Sequence, residues 1–374
     1  MIKIDLSIYL KSSQYFKLFD CLLKEEPITK EAFLIEHNIT PSSYRRARLQ
    51  EVNIGTKIIK KLSDILGYQY LSNNEIKDIE IKLNDIHSKV YFKIYDTFEE
   101  DLEYVENYIN KKTLLFPVFV LFKVFMLFNK HVSCIKVIED EEGTFKLLKK
   151  YVSFYSESLL EIYDFIECAF TKQIPSRILK TNNAYPMVYQ VLASKYSNEY
   201  KYIESNYFVE KAIDIYMKDH NYKRALYATL PMLFNMNQMG NYEEVFKIAN
   251  NYILMLKSFN CDEYEYDAML KHLVVASFAL HKYEYVISLL EKRSRLNLTQ
   301  LVALSASIYL TDINKYDEWM KEVNYEAMSD DNINKFYYKN LDLYLRYQDK
   351  TAFKNLSECP IYETLIILLK RANH

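Results

Sequence analysis

The chain has 374 residues, half of them hydrophobic, and a formal net charge of −2. It contains only four glycines and seven prolines, too few for the turns of an all-β sandwich or the phosphate loops of a doubly wound sheet. At roughly 100–200 residues per domain, this length indicates two or three folded units. We therefore predict a chain built mostly from helices.

The N-terminal segment and the most apolar segment both argue against export and membrane insertion. Residues 1–26 carry three charged residues within their apolar part and lack a small-residue cleavage site, so we expect no signal peptide. Residues 113–128 are too short for a spanning helix of roughly 20 residues, and Pro117 and Lys123 interrupt them. We expect a buried helix there, no membrane partner and a cytoplasmic location.

No pattern in the chain is typical of an enzyme or a metal site. The sequence has no GxGxxG, P-loop or HExxH motif, and its histidines lie singly. The five cysteines are far apart, without a CxxC pair, and we interpret them as reduced core residues. They are Cys21, Cys134, Cys168, Cys261 and Cys359. We therefore predict no catalytic residue, no metal and no cofactor.

Aromatic residues are abundant along the whole chain, with 35 tyrosines and 21 phenylalanines. Such side chains can stack on nucleic-acid bases. They recur here at helical spacing over the full length, however, and this distribution is more typical of core filling. We interpret them as core residues.

The first 66 residues divide into short helices with recognisable ends. Pro27 ends the first helix, Thr29 is an N-cap for the second, and Thr40 followed by Pro41 is an N-cap followed by an N1 proline. Gly67 ends a further helix as a C′ residue. That helix has one apolar face, formed by Ile58, Ile59, Leu62, Ile65 and Leu66. These signals predict a small bundle of short helices.

Within this bundle, the segment ITKEAFLIEHNITPSSYRRA has the spacing of a DNA-binding helix-turn-helix. Phe33, Ile39 and Tyr44 stand where apolar residues lock the two helices together. Asn38 lies in the turn, where a left-handed backbone is required and Asn is tolerated. We therefore predict a trihelical DNA-binding core.

The second helix of this motif carries side chains suited to DNA. Arginine pairs with guanine edges or phosphates, and Ser or Thr near a helix N-terminus donates to phosphate oxygens. Over residues 29–61, seven basic side chains against three acidic ones give a local charge of +4. The alternative is a solvated helix face without a ligand. The predicted DNA-binding residues are Lys30, Thr40, Ser42, Ser43, Arg45, Arg46 and Arg48.

The next helix has a seam of two heptads on an otherwise charged surface. The seam residues, spaced alternately by three and four, are Ile76, Ile79, Leu83, Ile86 and Val90. This seam either pairs with its own copy in a dimer or packs on the rest of the chain.

From about residue 99 onward the sequence reads as successive helices with recurring features. Tyr242, Tyr283 and, more weakly, Tyr316 stand at equivalent helix starts, 41 and 33 residues apart. Recurrence at this interval is typical of stacked helical hairpins. We predict hairpins over 222–257, 264–293, 298–326 and 333–358, with a closing helix over 361–372. The repeat is not legible over 99–220.

Two segments resemble known motifs. TKEAFLIEHNITPSSYRR resembles the helix-turn-helix of the phage-repressor (XRE) type, and IGTKIIKKLSDILGYQYLS is similar to the segment that follows it in that type. The likeness covers residues 28–72 and departs from the pattern at Leu34 and His37. NQMGNYEEVFKIANNY is similar to the turn between the two helices of a tetratricopeptide unit, although Leu233 stands where a small residue is usual.

Together these features resemble the peptide-pheromone receptors of Gram-positive bacteria, the family that includes Rgg, PlcR and PrgX and, more loosely, the arbitrium receptors of phages. The resemblance implies a homodimeric transcription regulator whose repeats bind a short signalling peptide. It places peptide-binding residues on the first helices of the repeats, at Tyr227, Asn237, Gln238 and Lys271. Each of these is equally compatible with a solvated helix residue.

The sequence therefore predicts an all-α chain with three parts. Residues 1–72 form a helix-turn-helix domain, 73–98 a linker helix, and 99–374 a tetratricopeptide-like α-solenoid for ligand binding and dimerisation. The predicted function is a DNA-binding regulator of transcription whose partners are double-stranded DNA, a short peptide and a second copy. The alternative is a helical-repeat module that sequesters a partner protein without binding DNA.

Overall fold

A computed structural model of the protein describes residues 1–49, 54–130, 140–181, 184–258, 263–293, 295–324, 328–329, 332–358 and 363–372. These ranges contain helices and one isolated bridge between Gln69 and Thr113, and no strand. The fold is therefore all-α, as predicted. The chain forms two compact units, unit 1 (Met1–Lys195 and Phe208–Ala225) and unit 2 (Tyr196–Tyr207 and Leu226–His374). The division at residues 72 and 98 stays a prediction.

Unit 1 starts with a short 3-10 helix, Ser7–Leu10, and continues through short and medium helices. The first five are α1 (Ser12–Leu22), α2 (Lys30–Glu36), α3 (Pro41–Arg48), α4 (Ile54–Leu66) and α5 (Asn73–Tyr91). The next six are α6 (Phe98–Asn110), α7 (Phe116–Lys130), α8 (Glu141–Lys150), α9 (Glu157–Thr171), α10 (Ser176–Thr181) and α11 (Pro186–Asn198). The chain passes between the units within α11, α12 (Tyr202–Lys218) and α13 (Tyr222–Ala228).

The predicted helix ends are confirmed at the level of single hydrogen bonds. The Thr29 hydroxyl accepts from the Ala32 amide and caps α2. Asn38 has a φ of 55°, the left-handed conformation expected of the turn. Gly67 has a φ of 72°, and the Tyr68 amide after it donates to the Ser63 carbonyl, 2.7 Å away. This is a Schellman end, in which a left-handed C′ residue satisfies the last carbonyls of a helix.

The heptad seam of α5 packs inside its own chain. All five seam residues are at most 2 % exposed. The N-terminal segment lies along α5, where Asn84 exchanges two hydrogen bonds with the backbone of Ile4, each 2.8 Å long. The self-pairing interpretation of the seam is therefore wrong for this structure, because unit 1 already covers the apolar face.

The most apolar segment forms α7 and is buried, as predicted. Phe119, Leu121, Phe122 and Phe125 are fully buried, and α7 packs against α5, α6, α8 and α9. Within the described ranges, no helix combines the length and apolar character needed to cross a membrane. Of the cysteines, Cys168 is buried and Cys21 is half-buried; Cys134, Cys261 and Cys359 lie outside the described residues.

Unit 2 contains three of the four predicted hairpins and most of the first, whose predicted start at residue 222 lies in unit 1. Its helices are α14 (Leu230–Gln238), α15 (Tyr242–Ser258), α16 (Glu263–Ala279), α17 (Tyr283–Leu290), α18 (Leu298–Thr311), α19 (Ile313–Val323), α20 (Ile333–Tyr347), α21 (Lys350–Ser357) and α22 (Glu363–Ala372). They pair as α14 with α15, α16 with α17, α18 with α19, and α20 with α21. Residues 325, 326, 361 and 362 of the predicted ranges lie outside the described residues.

Contacts between hairpins follow a nearest-neighbour order. The first helix of each hairpin contacts the first helix of the next, in the series α14, α16, α18 and α20. The second helix α15 also packs on α16, and α17 on α18. Each hairpin thus buries its apolar face against the following one.

The turns reveal a repeat that the sequence left illegible upstream of residue 222. Gly240 and His281 have positive φ and precede the helix-starting tyrosines by two residues, and Tyr200 and His220 do the same before Tyr202 and Tyr222. In each case the residue after the turn donates to a carbonyl five residues earlier, which is the Schellman arrangement. Only one of these turns uses glycine, which is why the pattern is weak in the sequence.

Candidate nucleic-acid interface

The N-terminus of α3 carries a cluster of three hydroxyl groups. The Thr40 hydroxyl accepts from the Ser43 amide, 3.1 Å away, and so caps the helix. The same hydroxyl lies 2.7 Å from Ser43 Oγ and 3.1 Å from Ser42 Oγ. The cluster faces solvent. The positive end of the helix dipole lies at the same point, and it therefore favours an anion there.

The inner face of α3 is fixed by Tyr44. Its ring is buried and meets the Phe16 ring of α1 edge to face, with centroids 4.9 Å apart. Its hydroxyl donates to Asp20 Oδ1, 2.9 Å away. Burial and the neighbouring Asp20 carboxylate raise the pKa of Tyr44 well above its ordinary value, so this hydroxyl stays a donor. Phe33 and Ile39 are buried beside it, as the motif predicted.

Arg45 and Arg46 lie on the outer face of α3. Both are exposed, and neither has an ion-pair or hydrogen-bond partner among the described residues. An arginine guanidinium carries five donors in a planar fork that fits phosphate or a guanine edge. These two residues are therefore the cations of the helix most available to a nucleic acid.

Two other predicted DNA-binding residues have a partner that the sequence did not reveal. Lys30 Nζ lies 3.2 Å from Asp20 Oδ1, and Arg48 Nη1 lies 3.3 Å from Asp20 Oδ2. Asp20 is on α1, far from both residues in sequence, so no local pattern links them. The carboxylate partly neutralises the two cations at the edges of the basic helix, and it competes with any phosphate for them.

The helix α4 adds exposed lysines to the same part of the chain. Lys57, Lys60 and Lys61 are all exposed. Lys61 Nζ donates to the Asn38 carbonyl, 3.2 Å away, and so contacts the turn before α3. The basic surface of the bundle therefore extends beyond α3, consistent with the local charge of +4.

The predicted peptide-binding residues of unit 2 are less open. Asn237 is fully buried, and its Nδ2 donates to the His272 carbonyl, 3.3 Å away. Tyr227, Gln238 and Lys271 are half-buried, and burial lowers the pKa of Lys271. Asn237 thus points into packed structure, where a peptide has no access without rearrangement.

The helices expected to line a groove are covered. Ten consecutive residues of α18, from Thr299 to Ile308, are buried, and α16 has no exposed residue between 266 and 280. The helix α22 packs against both of them and against α21. It therefore does not simply close the end of the series, as the sequence predicted, but lies across the first helices of two hairpins.

Comparison with known proteins identifies no relative. No protein-family model, curated protein or solved structure is similar enough to the chain to count as a match. The described residues also contain no group of three His, Cys, Asp or Glu side chains able to hold a metal ion. The residues of α3 and of unit 2 are therefore the candidates for a functional role.

Proposed function

We propose that this protein is a DNA-binding regulator of transcription whose helical hairpins bind a short peptide that modulates DNA binding. One observation carries the DNA-binding part. Arg45 and Arg46 are exposed, without partners among the described residues, on a helix that follows a left-handed turn at Asn38 and is held by Tyr44. A helix so presented enters the major groove with its N-terminal residues against base edges and phosphates.

The hydroxyl cluster supports the same assignment. Thr40 and Ser42 stand at the N-terminus of α3, where hydroxyl donors and the helix dipole together favour a phosphate oxygen. The phosphate term of binding arises from released counterions and weakens as salt rises. Arg45 and Arg46 therefore supply both attraction and, through bidentate bonds, sequence preference.

The hairpins of unit 2 support the ligand-binding part. Their nearest-neighbour contacts are those expected of tetratricopeptide-like repeats, which present a surface of first helices to a partner. In a homodimer two heads would span two half-sites, and a ligand that favours one of two conformations would change their spacing. Because the α5 seam is buried, a dimer would use another surface.

The alternative function is a repeat module that sequesters a protein. It accounts for the hairpins and gives no role to the exposed Arg45 and Arg46. The regulator is favoured for this reason, and the two functions differ in whether those arginines matter.

The decisive experiment is selection of random-sequence DNA duplexes by the full-length protein at about 150 mM salt, where the nonspecific phosphate term is weakened. We expect enriched sites with paired half-sites. The variant Arg45→Ala/Arg46→Ala should lose them. The matched control is Lys350→Ala/Lys354→Ala, which removes the same charge from the exposed surface of α21.

Enrichment that persists in the arginine double variant would contradict the assignment of α3. No enrichment by the wild-type protein, repeated with culture extract to supply a missing ligand, would favour the sequestering module instead.

A further inference from the structure

The helix α22 is an amphipathic segment seated on unit 2. Leu365 and Leu369 are at most 1 % exposed, and Ile366 and Leu368 are 8 % exposed. Ile367, on the opposite side, is 51 % exposed. The helix therefore buries one apolar face against α16, α18 and α21.

The burial of α18 from Thr299 to Ile308 depends on its neighbours on all sides. Ten consecutive residues cover nearly three helical turns at 3.6 residues per turn, so every side of α18 is covered. Its neighbours are α16, α17, α19, α20 and α22. In a series of stacked hairpins, α16, α17, α19 and α20 belong to the same or adjacent hairpins. The helix α22 is the neighbour that the repeat itself does not supply.

The covered helix α18 retains polar atoms without partners. Gln300 Nε2 and Ser307 Oγ are buried and have no hydrogen-bond partner among the described residues. Both side chains are fully buried. Buried polar groups of this kind are rare in folded proteins and indicate that the packing around α18 leaves some of its polar atoms unsatisfied.

We propose that the surface of α16 and α18 is a binding site for a short apolar peptide, and that α22 occupies this site in cis. The ligand class follows from the occupant. It is a segment with leucine or isoleucine at the spacing of Leu365, Ile366, Leu368 and Leu369, followed by basic residues like Lys370 and Arg371. This inference rests on the ligand-binding half of the proposed function and is independent of DNA binding.

Occupation in cis sets the apparent affinity for a ligand in trans. When only a fraction of molecules has α22 displaced, the apparent dissociation constant rises in inverse proportion to that fraction. Weakening the packing of α22 on α16 and α18 therefore strengthens binding of an added peptide, although the peptide itself is unchanged.

The test uses the full-length protein and a fluorescein-labelled synthetic peptide with the sequence of residues 363–372, ETLIILLKRA. We expect the variant Leu365→Ala/Leu369→Ala to bind this peptide at least about tenfold more tightly than the wild type. The control Ile367→Ala changes an exposed residue of the same helix and should bind as the wild type does. Equal affinity of all three proteins, or no binding by any, would overturn the inference.

A second measurement decides the matter if the double variant does not fold. In the wild-type protein, amide hydrogen exchange should be faster in α22 than in α16 and α18, because a displaceable segment opens locally. Exchange of α22 only together with α16 and α18 would show a fixed core helix and overturn the inference. Failure of DNA selection leaves both readouts unaffected.

Discussion

The helices α3 and α18, which carry the two candidate binding surfaces, differ in how they meet their surroundings. The basic face of α3 is open, and Arg45 and Arg46 extend from it without partners among the described residues. The helix α18 belongs to the series expected to bind a peptide, yet ten of its residues in a row are buried. One surface is exposed, whereas the other is covered by neighbouring helices.

This difference reflects how each surface is built. The face of α3 is defined by neighbours in sequence: a capping threonine, a proline, a left-handed asparagine and the apolar Tyr44 set which residues point outward. The surface of α18 is defined by the packing of several other helices, including α22 (Glu363–Ala372), which is distant along the chain. A local pattern predicts the first kind of surface and says little about the second.

The largest difference between the two helices should be the change in stability caused by a negative charge introduced into each. Ala303 is fully buried in α18, and Ala303→Glu buries a carboxylate without a partner, which should lower the free energy of unfolding by about 4 kcal/mol or more. Arg45→Glu, on the open face of α3, should change it by less than about 0.5 kcal/mol. The single tryptophan, Trp319 in α19, reports on unit 2, so urea unfolding followed by its fluorescence measures the first effect.

Two results would contradict this comparison. Tolerance of Ala303→Glu would mean that α18 has a solvated face in solution. The unfolding of Arg45→Glu is monitored by far-ultraviolet circular dichroism. A large loss of stability in this variant would mean that Arg45 has a structural partner.

Acid should weaken the covered region through His272, which lies on α16. Burial, helped by the neighbouring Lys271, lowers the pKa of His272 to about 3 from an ordinary value of 6.5. The folded chain keeps this imidazole neutral while the unfolded chain protonates it, so stability falls as pH decreases from 6.5 towards 3. Between pH 7.5 and 5.0 we expect a loss of about 2 kcal/mol from this group.

The measurement is urea unfolding followed by Trp319 fluorescence at the two pH values. His272→Gln removes the titrating group and should reduce the pH dependence by that amount. An unchanged pH dependence in this variant would show that His272 is solvated or already charged in the folded protein.

The smallest effect should come from the carboxylate beside α3. Asp20→Asn frees Lys30 and Arg48 from their ion pairs, and DNA affinity at 150 mM salt should rise by about threefold to tenfold. The slope of log affinity against log salt should steepen by up to about 1.8, because two more cations meet phosphates. Fluorescence anisotropy with a labelled duplex measures both quantities.

The matched control for this variant is Asp64→Asn. Asp64 is an exposed residue of α4, and its side chain has no ion pair with a described residue. The substitution Asp64→Asn removes the same charge from the same bundle without releasing a cation from an ion pair. Equal gains in the two variants would mean that only net charge matters and that Asp20 does not restrain the basic helix.

Much of the secondary structure was predictable because its signals are local. The caps at Thr29 and Thr40, the left-handed Asn38 and the C′ Gly67 all occur as predicted. The hairpins of unit 2 follow from helical periodicity. The upstream repeat was missed because its turns use Tyr200 and His220 in place of glycine, so the turn geometry is present without its usual residue.

The missed parts of the candidate sites depend on contacts between distant residues. Asp20 pairs with Arg48 because α1 packs against α3, and it also pairs with Lys30 at the start of α2. Asn237 was expected on an open surface, but its amide bonds to the backbone of α16. Nothing in the residues around either position signals such a partner.

The sequence by itself determined that the chain is all-helical, where several helices of the N-terminal bundle begin and end, and which face of α3 carries the basic residues. These properties follow from hydrogen bonds, backbone preferences and side-chain spacing within a few residues. Only the tertiary structure decided that the α5 seam is buried in its own chain and that α22 covers α16 and α18. An amphipathic helix requires only some apolar surface to cover its face, and which surface that is depends on the packing of the whole unit.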